Sequence, residues 1–137
     1  MRYLGYDYQG DGNFALTLNH PEDLVSLSTR RVKISNINKC LNLRNLYSNR
    51  NTYNGDDIVT LTNLRRIHSA YDNYQQNSNS LLQDLFENNK LEYVNVWNYG
   101  SDSNIVNSFV IQNNIENLRF MRVYYDEGVH DIKLNVN

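Results

Sequence analysis

The sequence has little cysteine, proline or glycine, and it has no long apolar run. Its 137 residues include one cysteine, one proline and six glycines. Because Cys40 stands alone, an intramolecular disulfide and a zinc site with several cysteines are excluded. No apolar stretch approaches the ~18 residues of a membrane-spanning helix, so no membrane association is expected. The opening MRYLGYDYQGDG lacks the apolar stretch of a signal peptide, which indicates a cytoplasmic protein, of the producing cell or of a host cell.

The sequence also lacks an excess of charge of either sign. Thirteen Lys and Arg residues face 15 Asp and Glu residues, for a net charge of −2. This balance argues against a surface tuned as a whole for polyanions, although it leaves room for a local basic patch. The three histidines, His20, His68 and His130, have no metal-ligand spacing, and no serine lies in a nucleophile elbow. We therefore expect no enzyme activity, no metal and no cofactor.

A short apolar pattern recurs four times along the chain. LEYVNVW at 91–97 returns as LRFMRVY at 118–124, and weaker copies are LRNLYSN at 43–49 and LRRIHSA at 64–70. Each copy begins with leucine and carries apolar residues at its first and fourth places. The segments between the later copies have helical spacing, which lets successive strands lie parallel. We therefore predict that 91–97 and 118–124 form neighbouring parallel strands with their apolar residues buried.

This pattern resembles the leucine-rich repeat, which has a period of about 20 to 29 residues and the signature L-x-x-L-x-L-x-x-N. The resemblance covers residues 40–126 and implies an α/β fold, a small solenoid with parallel strands and helical returns. Two features depart from the signature. The sixth place is Ser48 and Ser69 in the first two units, and among the four units only the first has asparagine, Asn51, at the ninth place. The alternative is an ordinary α+β domain in which the leucine spacings are chance.

We expect a single domain over residues 1–137, because a chain of this length buries a core unaided. Its predicted parts are an N-terminal cap at 1–39, the repeats at 40–126 and a C-terminal capping strand at 127–137. Caps are expected because the ends of a solenoid would otherwise expose the apolar layer.

Turn and periodicity signals predict the elements of the two caps. YLGYDY at 3–8 and FALTL at 14–18 are typical of two strands around the glycine-rich QGDGN, which predicts a β-hairpin. Pro21 suits the first turn of a helix that runs to about Ser28. Val32 and Ile34 then alternate in a strand, and Ile132, Leu134 and Val136 alternate in a last strand that covers the sheet edge.

Two helical returns are predicted between the later strands. Ser80 is placed to cap a helix in which Leu81, Leu82, Leu85 and Phe86 share one face. The segment from 105 to 110 repeats that apolar spacing.

The predicted strands place one set of side chains on an exposed, concave sheet face. Third, fifth and seventh places of each unit point away from the core. We predict that a protein partner binds there, because aromatic and arginine side chains dominate contact energies; a purely structural stacking role is the alternative. The single tryptophan, between Ala70 and Tyr124 in this stack, is predicted to border a notch for one anchoring side chain. The partner-binding side chains are predicted to be Tyr47, Arg66, His68, Tyr93, Asn95, Trp97, Phe120, Arg122 and Tyr124.

A row of charged residues supports a second hypothesis, that of a single-stranded nucleic-acid or phosphate binder. Second places of the four units carry Arg44, Arg65, Glu92 and Arg119. Arginines beside aromatic rings suit stacked bases and their phosphates. A solvated charge row is the simpler explanation, since Glu92 interrupts the arginines. His68 and Asp72 form the best acid–base pair available, but the repeat pattern turns Asp72 away from the face that carries His68.

The 24 asparagines and 11 tyrosines resemble the composition of proteins from AT-rich genomes, those of some large DNA viruses among them. This resemblance concerns codon bias and implies no function. We attribute the asparagines to base composition in preference to a structural ladder, because the repeat signature has one such position per unit.

Overall fold

Eleven strands and few helices make up the described part of the chain. A computed structural model describes residues 2–10, 14–49, 52–70, 73–75, 85, 90–97, 117–125 and 128–132, some of them, Trp97 and Tyr124 included, by their backbone alone. The strands are β1 (Tyr3–Asp7), β2 (Phe14–Leu16), β3 (Ser26–Arg30), β4 (Val32–Ile34), β5 (Asn45–Asn49), β6 (Thr52–Asn54), β7 (Arg66–Ala70), β8 (Asn73–Gln75), β9 (Tyr93–Trp97), β10 (Phe120–Tyr125) and β11 (Gly128–Ile132). The helices are α1 (Gly55–Val59) and two 3-10 turns, Pro21–Asp23 and Ile37–Lys39.

A seven-stranded sheet organises the molecule, in the order β1-β3-β5-β7-β9-β10-β11. Its first six strands are parallel, and β11 is antiparallel to β10. The fourth places of the units are in register, with Val94 opposite Met121, and both are buried. Leu91 and Leu118 are buried as well. The prediction that 91–97 and 118–124 form neighbouring parallel strands is therefore confirmed.

The described residues also form two small parallel sheets of two strands each. Strands β2 and β4 form one, and β6 and β8 form the other. Apolar residues of the large sheet join Val32 and Ile34 of β4, Tyr53 of β6 and Ile58 of α1 in one hydrophobic cluster. The Tyr53 hydroxyl also accepts a hydrogen bond from the Ile34 amide at 3.3 Å, which ties β6 to β4. The core thus lies between the large sheet and these second-layer elements.

The predicted N-terminal β-hairpin is wrong. Strands β1 and β2 form where the sequence indicated, but β1 pairs with β3 and β2 pairs with β4, both in parallel. The connection between them carries the chain from the large sheet to a small one. Arg31, with φ of 58°, makes the equivalent bend between β3 and β4. A glycine-rich turn signals a change of direction, but it does not determine which strand becomes the partner.

The helix predicted from Pro21 to about Ser28 is also mostly wrong. Only Pro21–Asp23 is helical, as one 3-10 turn, and β3 begins at Ser26. The amides of Val25 and Ser26 both donate to the Arg2 carbonyl, at 2.7 and 3.0 Å, which draws the chain into the large sheet. Val32 and Ile34 are buried on one strand, as predicted.

The predicted helical returns fall largely outside the described residues. Leu85, in the segment expected to follow Ser80, is helical and buried. The return predicted around 105–110 lies outside the described part. In the described residues, no helix has the length and apolar character needed to cross a membrane.

A last strand lies at the edge of the sheet, but it forms earlier in the sequence than the predicted one. β11 spans Gly128–Ile132 and pairs antiparallel with β10, with Val123 opposite His130. The remainder of the predicted strand, which includes Leu134 and Val136, lies outside the described residues.

Several asparagines connect neighbouring turns of the chain. The Asn42 Nδ2 donates to the Glu22 carbonyl at 2.7 Å, and the Asn63 Nδ2 donates to the Leu41 carbonyl at 2.8 Å. Both asparagines immediately precede a leading leucine. Asn36 bridges to Leu18 through both of its amide atoms. These three asparagines therefore join neighbouring turns of the chain, at positions that differ from the ninth place of the signature.

Candidate functional site

Among the described residues, no element covers one of the faces of the large sheet, and the strand register arranges that face in rows. We call it the open face; it carries the third, fifth and seventh places of each unit. The neighbouring core-side residues Leu46, Ser48, Ile67 and Ser69 are buried. The fifth-place row runs across six strands in register as Gly5, Ser28, Tyr47, His68, Asn95 and Arg122.

An aromatic patch, defined here as Tyr93, Phe120 and Arg122, lies on β9 and β10. The rings of Tyr93 and Phe120 are stacked, with centroids 4.7 Å apart and planes 12° from parallel. The Arg122 guanidinium carbon lies 5.6 Å from the Phe120 ring centre, a cation–π arrangement. All three side chains are half-buried. The patch therefore presents stacked rings with a cation at their border.

A second pair of rings lies on the adjacent strands β5 and β7. The rings of Tyr47 and His68 have centroids 6.0 Å apart. Partial burial lowers the pKa of His68 below its usual 6.5, which favours a neutral ring near pH 7. Beside it in the row, Asn95 is only 8% exposed although it belongs to the open face. The middle of the row is thus closely packed, around a histidine whose neutral form is favoured by burial.

A shallow depression of about 480 Å³ opens on the same face, between β1 and β7. Asp7 and Arg30 form an ion pair there, with Oδ2 and Nη1 3.8 Å apart. The lining residues are Gly5, Tyr6, Asp7, Ser28, Thr29, Arg30, Tyr47, Ser48, Asn49 and His68. Six of these belong to β1 and β3, which were predicted to be part of the N-terminal cap. The signal that would have found them is LVSLST, which matches the first, fourth and sixth places of the unit.

The structure places most of the predicted binding residues on the open face but divides them into groups. Tyr93, Phe120 and Arg122 form the aromatic patch, whereas Tyr47 lies with His68. Arg66 is exposed and is paired in register with Tyr93. Trp97 is opposite Tyr124 in the strand register, and the side chains of both lie outside the described part of the chain. Asp72, considered above as a partner of His68, also lies outside the described residues.

The row of second places does not form a continuous basic strip. The Arg65 Nη1 donates to the carbonyls of Thr62 and Leu64 at 3.2 and 3.0 Å, so its guanidinium is held against its own turn. Arg44, Glu92 and Arg119 are exposed, with the acid between the two arginines. The backbone of this row is regular: the carbonyls of Arg44, Arg65 and Glu92 each accept two amides of the next unit, as Arg44 does from Arg65 and Arg66 at 2.9 and 3.0 Å.

No protein-family model, curated protein or solved structure matches the chain. The open face itself therefore supplies the grounds for a functional proposal.

Proposed function

We propose that the chain is a short leucine-rich-repeat-like solenoid that binds a protein partner through its open face and catalyses no reaction. The single observation that carries this proposal is the aromatic patch, a stacked ring pair bordered by an arginine on adjacent parallel strands. Rings held in this way lose little conformational freedom on binding, and tyrosine and arginine are enriched among the residues that dominate binding energy.

The solenoid part of the proposal is supported by the regular repetition of core and backbone. The leading leucines Leu24, Leu43, Leu64, Leu91 and Leu118 are all buried. Each second-place carbonyl from Arg2 to Glu92 accepts amides from the next unit, so every turn is joined to its neighbour in the same way. Uniform nearest-neighbour contacts are the property that defines a repeat architecture.

The chemistry of the face suggests what the partner offers. Arg122 within the aromatic patch and Arg66 beside it add positive charge, whereas Asp7 and Arg30 form an ion pair at the far end. A partner with an apolar or aromatic anchor and an acidic border is complementary to this distribution. Trp97 and Tyr124 occupy the seventh places of their repeat units, and we include them in the proposed binding set because of these positions.

Binding experiments with paired variants test the proposal. Partners captured from a lysate of the source cells are purified, and their affinities are measured for wild type, Phe120→Ala and Arg122→Ala. Leu41→Ala and Lys33→Ala are matched controls, because they remove an exposed apolar and an exposed cationic side chain elsewhere. Loss of a central anchor costs ~2 kcal/mol, so Phe120→Ala should weaken binding more than tenfold while the controls do not.

A salt titration of the same complexes distinguishes the nucleic-acid hypothesis from the protein-binding proposal. An aromatic stack with a nearby arginine also suits nucleobases. A complex built on several phosphate contacts loses ~10³-fold or more in affinity between about 50 and 200 mM salt, whereas an aromatic-centred protein complex changes much less. A steep salt slope with single-stranded nucleic acid, or equal affinities for the face and control variants, would reject the protein-binding proposal.

A further inference from the structure

The outer edge of β1 is unpaired within the described residues. In the large sheet, β1 pairs with β3 on one side and with no described strand on the other. The Arg2 carbonyl and the Tyr8 amide bond to β3. Because backbone groups alternate along a strand, the amides and carbonyls of Tyr3, Gly5 and Asp7 point to the free edge. Such an edge is a template for another strand.

The core is also incompletely covered at this end. Leu4 and Tyr6 are in register with the buried residues Leu27 and Thr29, and Phe14 is in register with buried Val32. Tyr6 and Phe14 are nevertheless 51% and 44% exposed, and Tyr3 on the other face is 68% exposed. This end of the sheet therefore combines an apolar surface with backbone groups that have no strand partner among the described residues.

We infer that this end binds a second copy of the chain, through antiparallel pairing of the two β1 strands about a two-fold axis at Gly5. In that arrangement Gly5 lies opposite its own copy, and Tyr3 lies opposite Asp7 of the other chain. These are the residues whose amides and carbonyls point outward, so each becomes part of a mutually bonded antiparallel pair. The outward-pointing residues of one β1 therefore lie opposite the outward-pointing residues of the other.

The side chains are complementary in the same register. On the core side, Leu4 lies opposite Tyr6 of the second chain, so that each apolar residue covers the other. On the open side, the Tyr3 hydroxyl reaches the Asp7 carboxylate of the second chain as a hydrogen-bond donor. The chain already covers its other edge with an antiparallel strand, β11.

The apolar area is close to what a dimer requires. At ~200 Å² for a fully exposed aromatic side chain, Tyr3, Tyr6 and Phe14 expose about 300 Å² in each copy. Two copies therefore contribute ~600 Å² before the strand backbones and the half-buried leucines are counted. A specific interface buries ~1,000 Å² or more in total.

Substitutions at Gly5 test the register. A Cβ built at Gly5 has the Ser28 carbonyl oxygen, 4.0 Å away, as its nearest neighbour, so a Cβ at this exposed position meets no steric conflict in the single chain. The two Cα atoms at an antiparallel bonded pair are ~5.5 Å apart, which suits a disulfide. Gly5→Cys should form a disulfide-linked dimer under mild oxidation. Tyr3→Cys should not, because its copy lies ~14 Å away along the strands. Native Cys40 is buried and does not compete.

Sedimentation equilibrium on the full chain tests dimer formation without a crosslink. We expect a mass near twice 16.1 kDa for wild type and at least a tenfold higher dissociation constant for Gly5→Lys, because two lysines meet at the axis. Ser28→Lys adds the same charge one strand inward and should leave the dimer unchanged. A monomeric wild type at ~100 µM, equal crosslinking of the two cysteine variants, or a dimer unaffected by Gly5→Lys would overturn the inference.

Discussion

Two leucines in one turn of the chain allow a strict test of the core. Leu43 is 0% exposed and belongs to the hydrophobic cluster, whereas Leu41 is 53% exposed. Truncation of either residue to alanine removes the same atoms from the same stretch of backbone. Any difference in stability between the two variants therefore measures burial, because the chemistry of the substitution is identical.

The cost of Leu43→Ala follows from the cavity it creates. Burial of a leucine contributes through both transfer and packing, and Leu→Ala substitutions in cores cost ~2 to 5 kcal/mol. The neighbouring units cannot easily collapse into the space, because their backbones are fixed by the Arg44 amide on the Val25 carbonyl at 2.8 Å and the Arg65 amide on the Arg44 carbonyl at 2.9 Å. We expect Leu43→Ala to lower the free energy of unfolding by about 3 to 4 kcal/mol. Leu41→Ala should change it by no more than ~0.5 kcal/mol.

Urea unfolding followed by circular dichroism measures both variants. A loss of 3 kcal/mol corresponds to ~10 °C in the melting temperature of a domain of this size. Equal urea midpoints for the two variants, with unchanged slopes, would refute the assignment of the leading leucines to the core.

Three further predictions concern the side chains of Asn63, Cys40 and His68. Asn63→Asp removes the donor to the Leu41 carbonyl and should lower stability by about 1 kcal/mol in the same urea assay, whereas Asn38→Asp, at an exposed position, should not. Burial, and to a lesser extent Glu22, raises the pKa of the Cys40 thiol to about 11, so a thiol reagent at about pH 8 should label it only on unfolding. Because the folded-state pKa of His68 is lowered, the unfolded chain binds its proton more readily, and stability should fall as the pH drops below about 6.5. His68→Gln should reduce that loss in urea midpoints measured between about pH 8 and pH 5.

The register of the later strands could be predicted because only one register buries their apolar side chains. A shift of one residue would bring Val94 and Met121 to the open face, so the spacing of apolar residues fixes which residues pair. The prediction of neighbouring parallel strands therefore succeeded where apolar residues recur at fixed places of both strands.

The first units were missed because local signals there favour another structure. Pro21 followed by two acids is typical of a helix start, yet Leu24, Leu27 and Thr29 fit the strand unit and are buried. The pairing of β1 with β3 is decided by contacts between residues more than 20 positions apart, and a turn-rich linker carries no information about such contacts. In contrast, the positions of Tyr93, Phe120 and Arg122 on the open face could be predicted, because they depend only on alternation along two strands.

The second layer was beyond the reach of sequence patterns for a different reason. Strands β4, β6 and β8 have three residues each, too few to establish a period. One hydrogen bond, from the Ile34 amide to the Tyr53 hydroxyl, helps to hold β6 in place. A single bond of this kind produces no repeating pattern in the sequence from which it could be predicted. The asparagine contacts between turns are hidden in a similar way, because Asn42, Asn63 and Asn117, which precede leading leucines, are only three of 24 asparagines.

The two proposals concern opposite ends of the open face, and their combination has a measurable consequence. The aromatic patch lies about four and a half strands from β1, or ~22 Å at the usual spacing between strands. A two-fold dimer through β1 would therefore present two patches on the same side, ~50 Å apart. A bivalent partner that spans this distance gains avidity, whereas a monovalent fragment of the same partner does not. Gly5→Lys should then weaken binding of the bivalent partner by tenfold or more and leave the fragment's affinity unchanged, as measured by surface-immobilised binding. Equal effects on both would show that Gly5 acts on the patch itself and not through the second copy.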